Sequence, residues 1–255
     1  MDISFIIVNY ESRQFLERCL ASIRNHTPAA TCEIILINND ALPLENLPDV
    51  KIIEAGSNGG FAKACNAGGR EARGEFLFFL NPDTEILDFS FDSIAQALRN
   101  PAIGIAAPRL LTSSGAVQPW SIGYAITLLD TLRNNFGYIK SRRLWSETAS
   151  GEVAWTSGAA LAISKKLFAQ CGGFDENFFM YFEDVDLCLR VQLSGKKIML
   201  LPDIRIMHIG GQSVLDVKKQ KQDYYRSQDY YFQKNFGTLP AFLIKFLRKT
   251  FLFLT

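Results

Sequence analysis

The sequence has little of what marks a membrane-spanning, secreted or nucleic-acid-binding protein. It contains no run of about 20 uninterrupted apolar residues, so we expect no membrane-spanning helix. The apolar run at residues 3–8 is short and lacks a basic start, so we expect no signal peptide. The 27 Lys and Arg nearly balance the 26 Asp and Glu. This balance argues against a nucleic acid as the main partner.

Cysteine is sparse, and two common phosphate-binding motifs are absent. The five cysteines are scattered, odd in number and without a C-x-x-C pair. We therefore expect reduced thiols, as in the cytosol, and neither a disulfide framework nor a cysteine-bound metal. The chain also lacks a G-x-G-x-x-G or Walker pattern, which excludes the phosphate loops that those motifs form.

What remains is typical of one packed α/β domain. The chain has 255 residues, of which 48% are hydrophobic and 21% charged, enough for a sizeable core. Short apolar runs alternate with helical patterns in the first half, which favours crossover units and a mainly parallel sheet. We predict strands at 3–8, 33–38, 50–54 and 75–80, with helices at 12–25, capped by Ser12, and at 59–73.

The second half is less regular. Residues 112–150 are rich in Ser, Gly and aromatic residues and show no clear period, so we expect an irregular insertion with one helix near 126–136. The later patterns predict a strand at 158–163, a short helix from Ser164, a loop at 172–182, a helix at 183–194, two strands at 197–201 and 204–208, and a helical tail from about 215.

Polar residues follow three of the predicted strands at the edge where the carboxyl ends of the strands lie. They are Asn9-Tyr10, Asn38-Asn39-Asp40 and Asn81-Pro82-Asp83. In open sheets of this kind, ligands bind at that edge. One carboxylate, such as Asp83, together with a diphosphate is a normal way to hold Mg²⁺ or Mn²⁺. The alternative is that Asp83 only belongs to a turn.

An acidic stretch set among aromatic residues is a second candidate site. Residues 174–186 read FDENFFMYFEDVD. A carboxylate beside aromatic walls is partly desolvated, which raises its pKa and suits a general base. Asp186 and Arg190 are four apart and predict an ion pair on one helix face, which leaves Asp184 to face a cleft. The alternative is an acidic helix start that only favours its own dipole.

Two weaker signals accompany these acids. His208 ends a predicted strand before Gly210-Gly211, so it could complete a metal site or be a structural histidine. Asn58-Gly59-Gly60 opens a predicted helix, and helix N-termini offer N–H groups to anions. The alternative for this segment is a glycine-rich turn.

Together these pieces resemble family 2 glycosyltransferases of the GT-A fold, in particular their bacterial rhamnosyltransferase-like branch. The order and spacing of the matching stretches make the set specific, and they cover about residues 1–215. They are IIVNY (6–10), EIILINN (33–39), NGGF (58–61) with Asn66 and Gly68, LNPD (80–83), TSGA (156–159), GGFDE (172–176), YFEDVDL (181–187) with Arg190, and His208 with Gly210 and Ser213.

The resemblance implies an α/β fold with a mixed, mostly parallel sheet flanked by helices and followed by a helical tail. It implies a domain over 1–215, with a nucleotide-binding half at 1–111 and an acceptor-binding, catalytic half at 112–215, and a tail at 216–255. The residues that it places at the donor are Val8, Asn9, Tyr10, Asn38, Asn58, Gly59, Asn81 and Asp83.

The resemblance also implies the chemistry of the remaining residues. Asp83 and His208 would bind the metal, Mg²⁺ or Mn²⁺. Asp184 would deprotonate the acceptor hydroxyl. The residues implied near the sugar and acceptor are Trp155, Thr156, Ser157, Gly158 and Glu183.

Two positions depart from the family pattern. The family usually has Asp where this chain has Asn38, whose amide oxygen can still accept a hydrogen bond from the base but carries no charge. Many members have D-x-D where this chain has Asn81-Pro82-Asp83. One carboxylate then remains for the metal, so we expect weak binding of free metal that the donor strengthens.

The implied function is an inverting glycosyltransferase of cell-surface polysaccharide synthesis. Its donor would be dTDP-rhamnose, with UDP-hexoses next, and its acceptor a glycan or a polyprenyl-linked glycan. One alternative is a sugar nucleotidyltransferase, although residues 9–13 make a poor triphosphate loop. Another is a non-catalytic membrane-surface module on the same fold, against which the retained Asp83, Asp184 and His208 argue.

The last 17 residues read LPAFLIKFLRKTFLFLT. At helical spacing the basic residues Lys245, Arg248 and Lys249 fall on one side. The apolar residues Phe242, Leu243, Phe246, Leu247, Phe251 and Leu254 form much of the rest. Central cations are costly in hydrocarbon, so we expect a helix on an anionic membrane surface rather than a span. This places the protein in the cytoplasm at the inner face of the cell membrane. The alternative is a helix docked on the protein's own core or on a second subunit.

Overall fold

A computed structural model describes residues 2–27, 31–135, 138–210 and 217–252. Gly211, Ser213 and Leu254 lie outside the described residues, and so does the side chain of Phe251. The strands are β1 (Ile3–Asn9), β2 (Cys32–Asn38), β3 (Val50–Glu54), β4 (Phe76–Leu80), β5 (Thr84–Asp88), β6 (Ile103–Leu111), β7 (Ile122–Gly123), β8 (Gly151–Val153), β9 (Trp155–Thr156), β10 (Ala160–Ser164) and β11 (Lys197–His208). The helices are α1 (Arg13–His26), α2 (Phe61–Glu71), α3 (Phe91–Arg99), α4 (Leu128–Asn135), α5 (Lys165–Gln170), α6 (Glu183–Leu193), α7 (Val217–Phe236) and α8 (Thr238–Leu252), with a 3₁₀ turn at Lys140–Leu144.

Nine of the described strands form one sheet. Its order is β3-β2-β1-β4-β10-β6-β11-β5, and β8 pairs with β11 beside this path. The strands β1, β2, β3, β4, β6 and β11 run in one direction, whereas β5, β8 and β10 run in the other. The predicted mixed, mostly parallel sheet is therefore confirmed. β7 and β9 form a separate two-stranded ribbon.

Both faces of the sheet are buried, and alternation along β1 shows how. Ile6 and Val8 join the core that includes buried residues of α2, α5, α6 and α7. Phe5 and Ile7 join the core beneath α1 and α3. Because successive side chains of a strand point to opposite faces, a strand covered on both faces needs a continuous apolar run. The run at residues 3–8 has this property.

Most predicted elements are confirmed to within two residues at each end, and three points differ. The sequence patterns did not assign β5, α3 and β6 between residues 84 and 111. The two strands expected at 197–208 form the single strand β11, whose register shifts between Leu201 and Arg205. Pro202, which has no N–H to donate, lies in this interval. Ser12 precedes α1, but its hydroxyl donates to Asn9 Oδ1 instead of capping the helix.

A buried ionic cluster attaches α7 to α6. Asp186 is fully buried and pairs with Arg190 at 2.8 Å, which confirms the predicted i,i+4 pair, and with Lys234 of α7 at 2.9 Å. Lys234 also contacts Asp175 at 2.7 Å. Although partial burial acts to raise it, hydrogen bonds from Lys234 and Asn177 lower the pKa of Asp175 to about 2. Thus α7 packs into the body of the molecule, and the domain boundary at residue 215 stays a prediction.

The inner face of α8 docks on the protein itself. Ile244 is buried, and Arg248 donates to both carboxylate oxygens of Asp229 at 2.7 Å. The Arg248 guanidinium also lies 4.4 Å from the centre of the Tyr225 ring. The prediction that Lys245, Arg248 and Lys249 share one outward side is therefore wrong for Arg248, because Asp229 and Tyr225 turn it toward α7. Within the described ranges no helix is both long and apolar enough to cross a bilayer.

Candidate active site

An open cleft of about 920 Å³ lies at the carboxyl ends of β1 and β4. It brings together most of the residues singled out from the sequence, although they are spread over 200 positions of the chain. Those that line it are Val8, Tyr10, Asn58, Asn81, Asp83, Trp155, Ser157, Gly158, Glu183, Asp184 and His208. Polar residues from strand ends, the acids Glu183 and Asp184, and His208 all converge here, so the cleft is the candidate active site.

Four predicted site residues do not line the cleft. Gly59 is exposed beside it, and Thr156 is buried behind it. Asn9 and Asn38 are fully buried. Asn38 Oδ1 accepts from Asn9 Nδ2 at 2.8 Å, while Asn38 Nδ2 donates to Glu54 Oε2 at 2.6 Å.

The polar atoms of Asn38 are thus used within the protein. The expectation that its amide oxygen faces a nucleotide base is not met in this structure, because a neutral amide at this position bridges Asn9 and Glu54. The neighbouring Asn39, which the sequence analysis placed in the same polar cluster but not among the site residues, lines the cleft instead.

Asp83 and His208 form a pair that suits a divalent cation. His208 Nδ1 lies 3.0 Å from Gln118 Oε1, and because a carbonyl oxygen only accepts, Nδ1 carries the proton in the neutral ring. Nε2 then presents a lone pair to Asp83 Oδ1 at 3.3 Å. Asn81 Nδ2 also lies 3.5 Å from Nε2, and a cation between Nε2 and Asp83 Oδ1 would satisfy both acceptors. Ligands of an octahedral ion at about 2.1 Å lie about 3 Å apart, so the pair fits Mg²⁺ or Mn²⁺.

Few ligands for such an ion come from the part of the chain that the structure describes. The described residues contain no group of three or more His, Cys, Asp or Glu side chains that could hold a metal. The second oxygen of Asp83 already accepts from the backbone N–H of Gly210 at 3.1 Å. Water or a bound anion can supply further ligands, as expected where one carboxylate and a diphosphate share the ion.

Two adjacent acids of α6 lie at the other side of the cleft. Asp184 Oδ2 accepts from the Gly158 N–H at 2.8 Å, and its Oδ1 accepts from the Val185 N–H at 2.8 Å. Burial raises the pKa of Asp184, and these two donors partly offset the rise. Burial, and then the charge of Asp184, raise the pKa of Glu183 well above its usual range. The pair combines a hydrogen-bonded carboxylate with one that favours its neutral form.

A strained turn presents these acids to the cleft. Tyr181 and Phe182, the two residues before α6, both have left-handed backbones, with φ of 68° and 66°. Such residues cost about 1–3 kcal/mol each, so neighbouring structure must hold them. α7 does this: the Phe182 ring lies 5.3 Å from those of Tyr224 and Tyr231, and Ser227 Oγ donates to Met180 O at 2.6 Å.

The start of α2 fixes the other side of the same loop. Gly60 has φ of 92°, and a Cβ built there would lie 2.7 Å from Phe179 O. The Phe61 N–H donates to that same carbonyl at 2.9 Å. One of the free N–H groups of this helix N-terminus is therefore taken by the loop rather than left for an anion. Asn58 Oδ1 accepts from the Gly60 N–H at 3.0 Å and closes the turn.

Sequence reasoning missed the residues that close the cleft on the side facing α4, α7 and α8. Trp120, Tyr124, Tyr224 and Arg248 line it there. The Trp120 ring is half exposed and lies 4.8 Å from the Trp145 ring, an open aromatic face of the kind that stacks on ligands. The sequence shows that residues 112–150 are rich in aromatic residues. Because this segment has no regular period, the sequence does not indicate which of their side chains face a cleft.

Comparison with known proteins gives one family and several relatives. The model of the family described as "Glycosyl transferase family 2" matches residues 4–168. A relative from Mycobacterium tuberculosis, named N-acetylglucosaminyl-diphospho-decaprenol L-rhamnosyltransferase, is 28% identical over 80% of this chain and 74% of its own length. A Shigella flexneri protein named dTDP-rhamnosyl transferase RfbF is 22% identical over 83% of this chain and 74% of its own.

The fold also matches solved structures. The crystal structure of GalNAc-T7 with UDP, GalNAc and Mn²⁺ superposes with a TM-score of 0.65 at 16% identity. The match covers 91% of this chain and 50% of that one, so this chain spans half the length of that solved protein. At this identity the likeness concerns the fold, which is the GT-A architecture of a mixed sheet with flanking helices.

The Gly60 contact gives a test of how tightly the loop is held. Gly60→Ala should lower the free energy of unfolding by about 2–4 kcal/mol, because it adds backbone strain to a clash with Phe179 O. Gly56→Ala is the control: Gly56 has φ of 72° but open space around it, so strain alone should cost about 1 kcal/mol. Urea unfolding of both variants measures the difference. Equal losses would mean that the contact with Phe179 does not constrain the loop.

Proposed function

Because this chain belongs to glycosyl transferase family 2, we propose that it is a metal-dependent, inverting glycosyltransferase whose donor is dTDP-rhamnose. The acceptor is a hydroxyl of a glycan or of a polyprenyl-linked glycan. The observation that carries the proposal is that the Asp83–His208 pair and the partly buried acid Asp184 line one cleft. The rhamnosyltransferase names of the relatives support the choice of sugar. UDP-hexoses are the next donor candidates.

The donor lies at the end of the cleft formed by β1 and β4. Asp83 Oδ1 and His208 Nε2 hold the divalent ion, which when bound neutralises the charge of the leaving nucleoside diphosphate. Gln118 fixes the His208 ring so that Nε2 faces the ion. Val8, Tyr10, Asn39, Asn58 and Asn81 contact the nucleotide, and Asn39 takes part where Asn38 is buried. Trp155, Ser157 and Gly158 border the sugar.

Asp184 is the base in this proposal. Its carboxylate takes the proton of the acceptor hydroxyl as that oxygen attacks the anomeric carbon on the face opposite the leaving group. One displacement of this kind inverts the configuration, as in single-displacement glycoside chemistry. The Gly158 N–H holds the carboxylate in place. Because burial raises the pKa of Asp184, activity should fall on the acid side at a higher pH than for an exposed aspartate.

The acceptor proposal includes a membrane surface. The outward face of α8 carries Leu239, Phe242 and Phe246, which are 67%, 62% and 54% exposed. We name these three residues the α8 stripe. Lys245 and Lys249 are exposed on the same helix. Apolar rings beside exposed lysines suit the interface of an anionic bilayer, and docking there would bring a lipid-linked acceptor to the cleft from the cytoplasmic side.

Replacement of the base tests the mechanism. Asp184→Asn should lower turnover by about 10²–10⁴ and leave donor binding, measured by calorimetry, near wild type, since the amide keeps the shape of the side chain. Asp203→Asn, an exposed aspartate outside the cleft, is the control. Turnover within a few-fold of wild type would move the base to Glu183. Asp175 is tied to Lys234 and does not line the cleft.

The dependence on a metal can be tested by measuring how tightly the donor binds. Asp83→Ala and His208→Ala should each weaken binding of dTDP-rhamnose or dTDP in the presence of Mn²⁺, and Asp83→Ala more, because of these two side chains Asp83 is the one that carries a negative charge. His26→Ala, which changes the other histidine of the chain, should not. Calorimetry with Mn²⁺ and with excess chelator measures the effect. Equal donor affinity and full transfer in chelator would remove the metal from the proposal.

Vesicle binding tests the α8 stripe. The double variant Phe242→Ser/Phe246→Ser should no longer co-sediment with phosphatidylglycerol vesicles. Co-sedimentation of the double variant Lys245→Gln/Lys249→Gln should no longer depend on the salt concentration. Leu193→Ser, at an apolar residue 77% exposed on α6, is the matched control and should pellet like wild type. If the double phenylalanine variant pellets equally well, the stripe does not bind membranes and packs against protein instead.

A further inference from the structure

Glu183 stands out because its surroundings leave one carboxyl oxygen without a partner. The residue is 5% exposed and lines the cleft. Its Oε2 makes no hydrogen bond with any described residue. A buried carboxyl oxygen of this kind is costly unless something pairs with it. Because Glu183 lines the cleft, a molecule bound there can supply the missing hydrogen-bond partner.

The adjacent Asp184 has the opposite arrangement. Both of its oxygens accept backbone N–H groups, from Gly158 and Val185, and N–H donors stabilise a negative charge. Two neighbouring buried carboxyls do not both ionise easily, because each charge disfavours the other. Of the two carboxyls, Asp184 is therefore the one whose partners favour the charged form, and Glu183 is the one whose surroundings favour a bound proton.

Among the described residues, no cation is found in the set of ionisable groups that interact with Glu183. The ionisable groups that interact with Glu183 are Asp184 on α6, the buried thiol of Cys65 on α2, and Tyr181 of the preceding turn. Burial raises the pKa of the Cys65 thiol well above its usual range, so that thiol stays neutral whether or not Glu183 is charged. A neutral carboxylic acid differs from a carboxylate in that it offers one O–H donor.

We propose that Glu183 is a proton-bearing binding residue whose carboxyl donates an O–H hydrogen bond to an oxygen of the acceptor sugar, beside the hydroxyl that Asp184 deprotonates. This rests on the proposed transferase function. The donor end of the cleft has Asp83 and His208 for its phosphates, whereas Glu183 adjoins the base, which must touch the acceptor. Glu183 thus donates a hydrogen bond to one oxygen of the acceptor, whereas Asp184 accepts the proton of the neighbouring hydroxyl.

A pH profile of kcat/KM for the acceptor, at saturating donor, tests the proposal. In wild type it should fall on the alkaline side as Glu183 loses its proton. Glu183→Gln, which keeps an N–H donor that cannot ionise, should lower kcat/KM several-fold at neutral pH and remove that alkaline fall. Glu183→Leu should raise the acceptor KM by about tenfold or more, with donor affinity unchanged. Glu152→Gln, an exposed glutamate of β8, is the control.

Two outcomes of these activity measurements would overturn the proposal. If Glu183→Gln loses activity as fully as Asp184→Asn, Glu183 is a base and the proposal is overturned. An unchanged alkaline fall in Glu183→Gln also overturns it. A ¹³C-Glu NMR titration, with Glu183→Gln to assign the signal, gives a readout that does not depend on turnover. A Glu183 carboxyl already ionised at neutral pH refutes the proposal, whereas a protonated Glu183 in a protein without transfer would refute the proposed function instead.

Discussion

The left-handed turn at Tyr181 and Phe182 is the constraint on which the candidate site depends. Neither residue is glycine, so the backbone pays strain at two consecutive positions. The turn is held by aromatic packing on α7, by the Ser227 hydroxyl, and by the close approach of Gly60 to Phe179. Its effect is to begin α6 at the wall of the cleft, so that Glu183 and Asp184 occupy the first turn of that helix and line the cleft.

The two ends of the cleft differ in the charges that they favour. At one end, Asp83 and His208 place two acceptor atoms 3.3 Å apart, an arrangement that a cation stabilises. At the other end, the buried Glu183 and the partly buried Asp184 are neighbours, and no cation of the described chain is among their interacting groups. A metal that binds phosphates suits the first end. A base and a neutral carboxylic acid suit the second, since only one of two adjacent buried carboxyls ionises readily.

The C-terminal helices connect this site to the outer surface. α7 supports the strained turn and is tied to α6 through the Asp186–Lys234 contact, while α8 is tied to α7 through Arg248 and Asp229. These helices follow the stretch that the family model matches, and so do Glu183 and Asp184. The same helix that contributes Ile244 and Arg248 to the cleft carries the exposed α8 stripe on its other side. One wall of the cleft and the proposed membrane-facing surface are thus two sides of one helix.

The sequence alone determined the α/β class, the strands β1 to β4, and the strand-end positions of Asn81, Asp83 and His208, because period and turn residues are local signals. It also determined the Asp186–Arg190 pair, whose spacing is fixed by the helix. It did not reveal that Asn38 is buried against Asn9 and Glu54, or that Arg248 turns inward to Asp229. Those outcomes rest on partners 16 to 29 residues away in the chain. Which polar side chain faces a ligand and which is satisfied internally is decided by tertiary neighbours, since the same amide or guanidinium serves either role equally well.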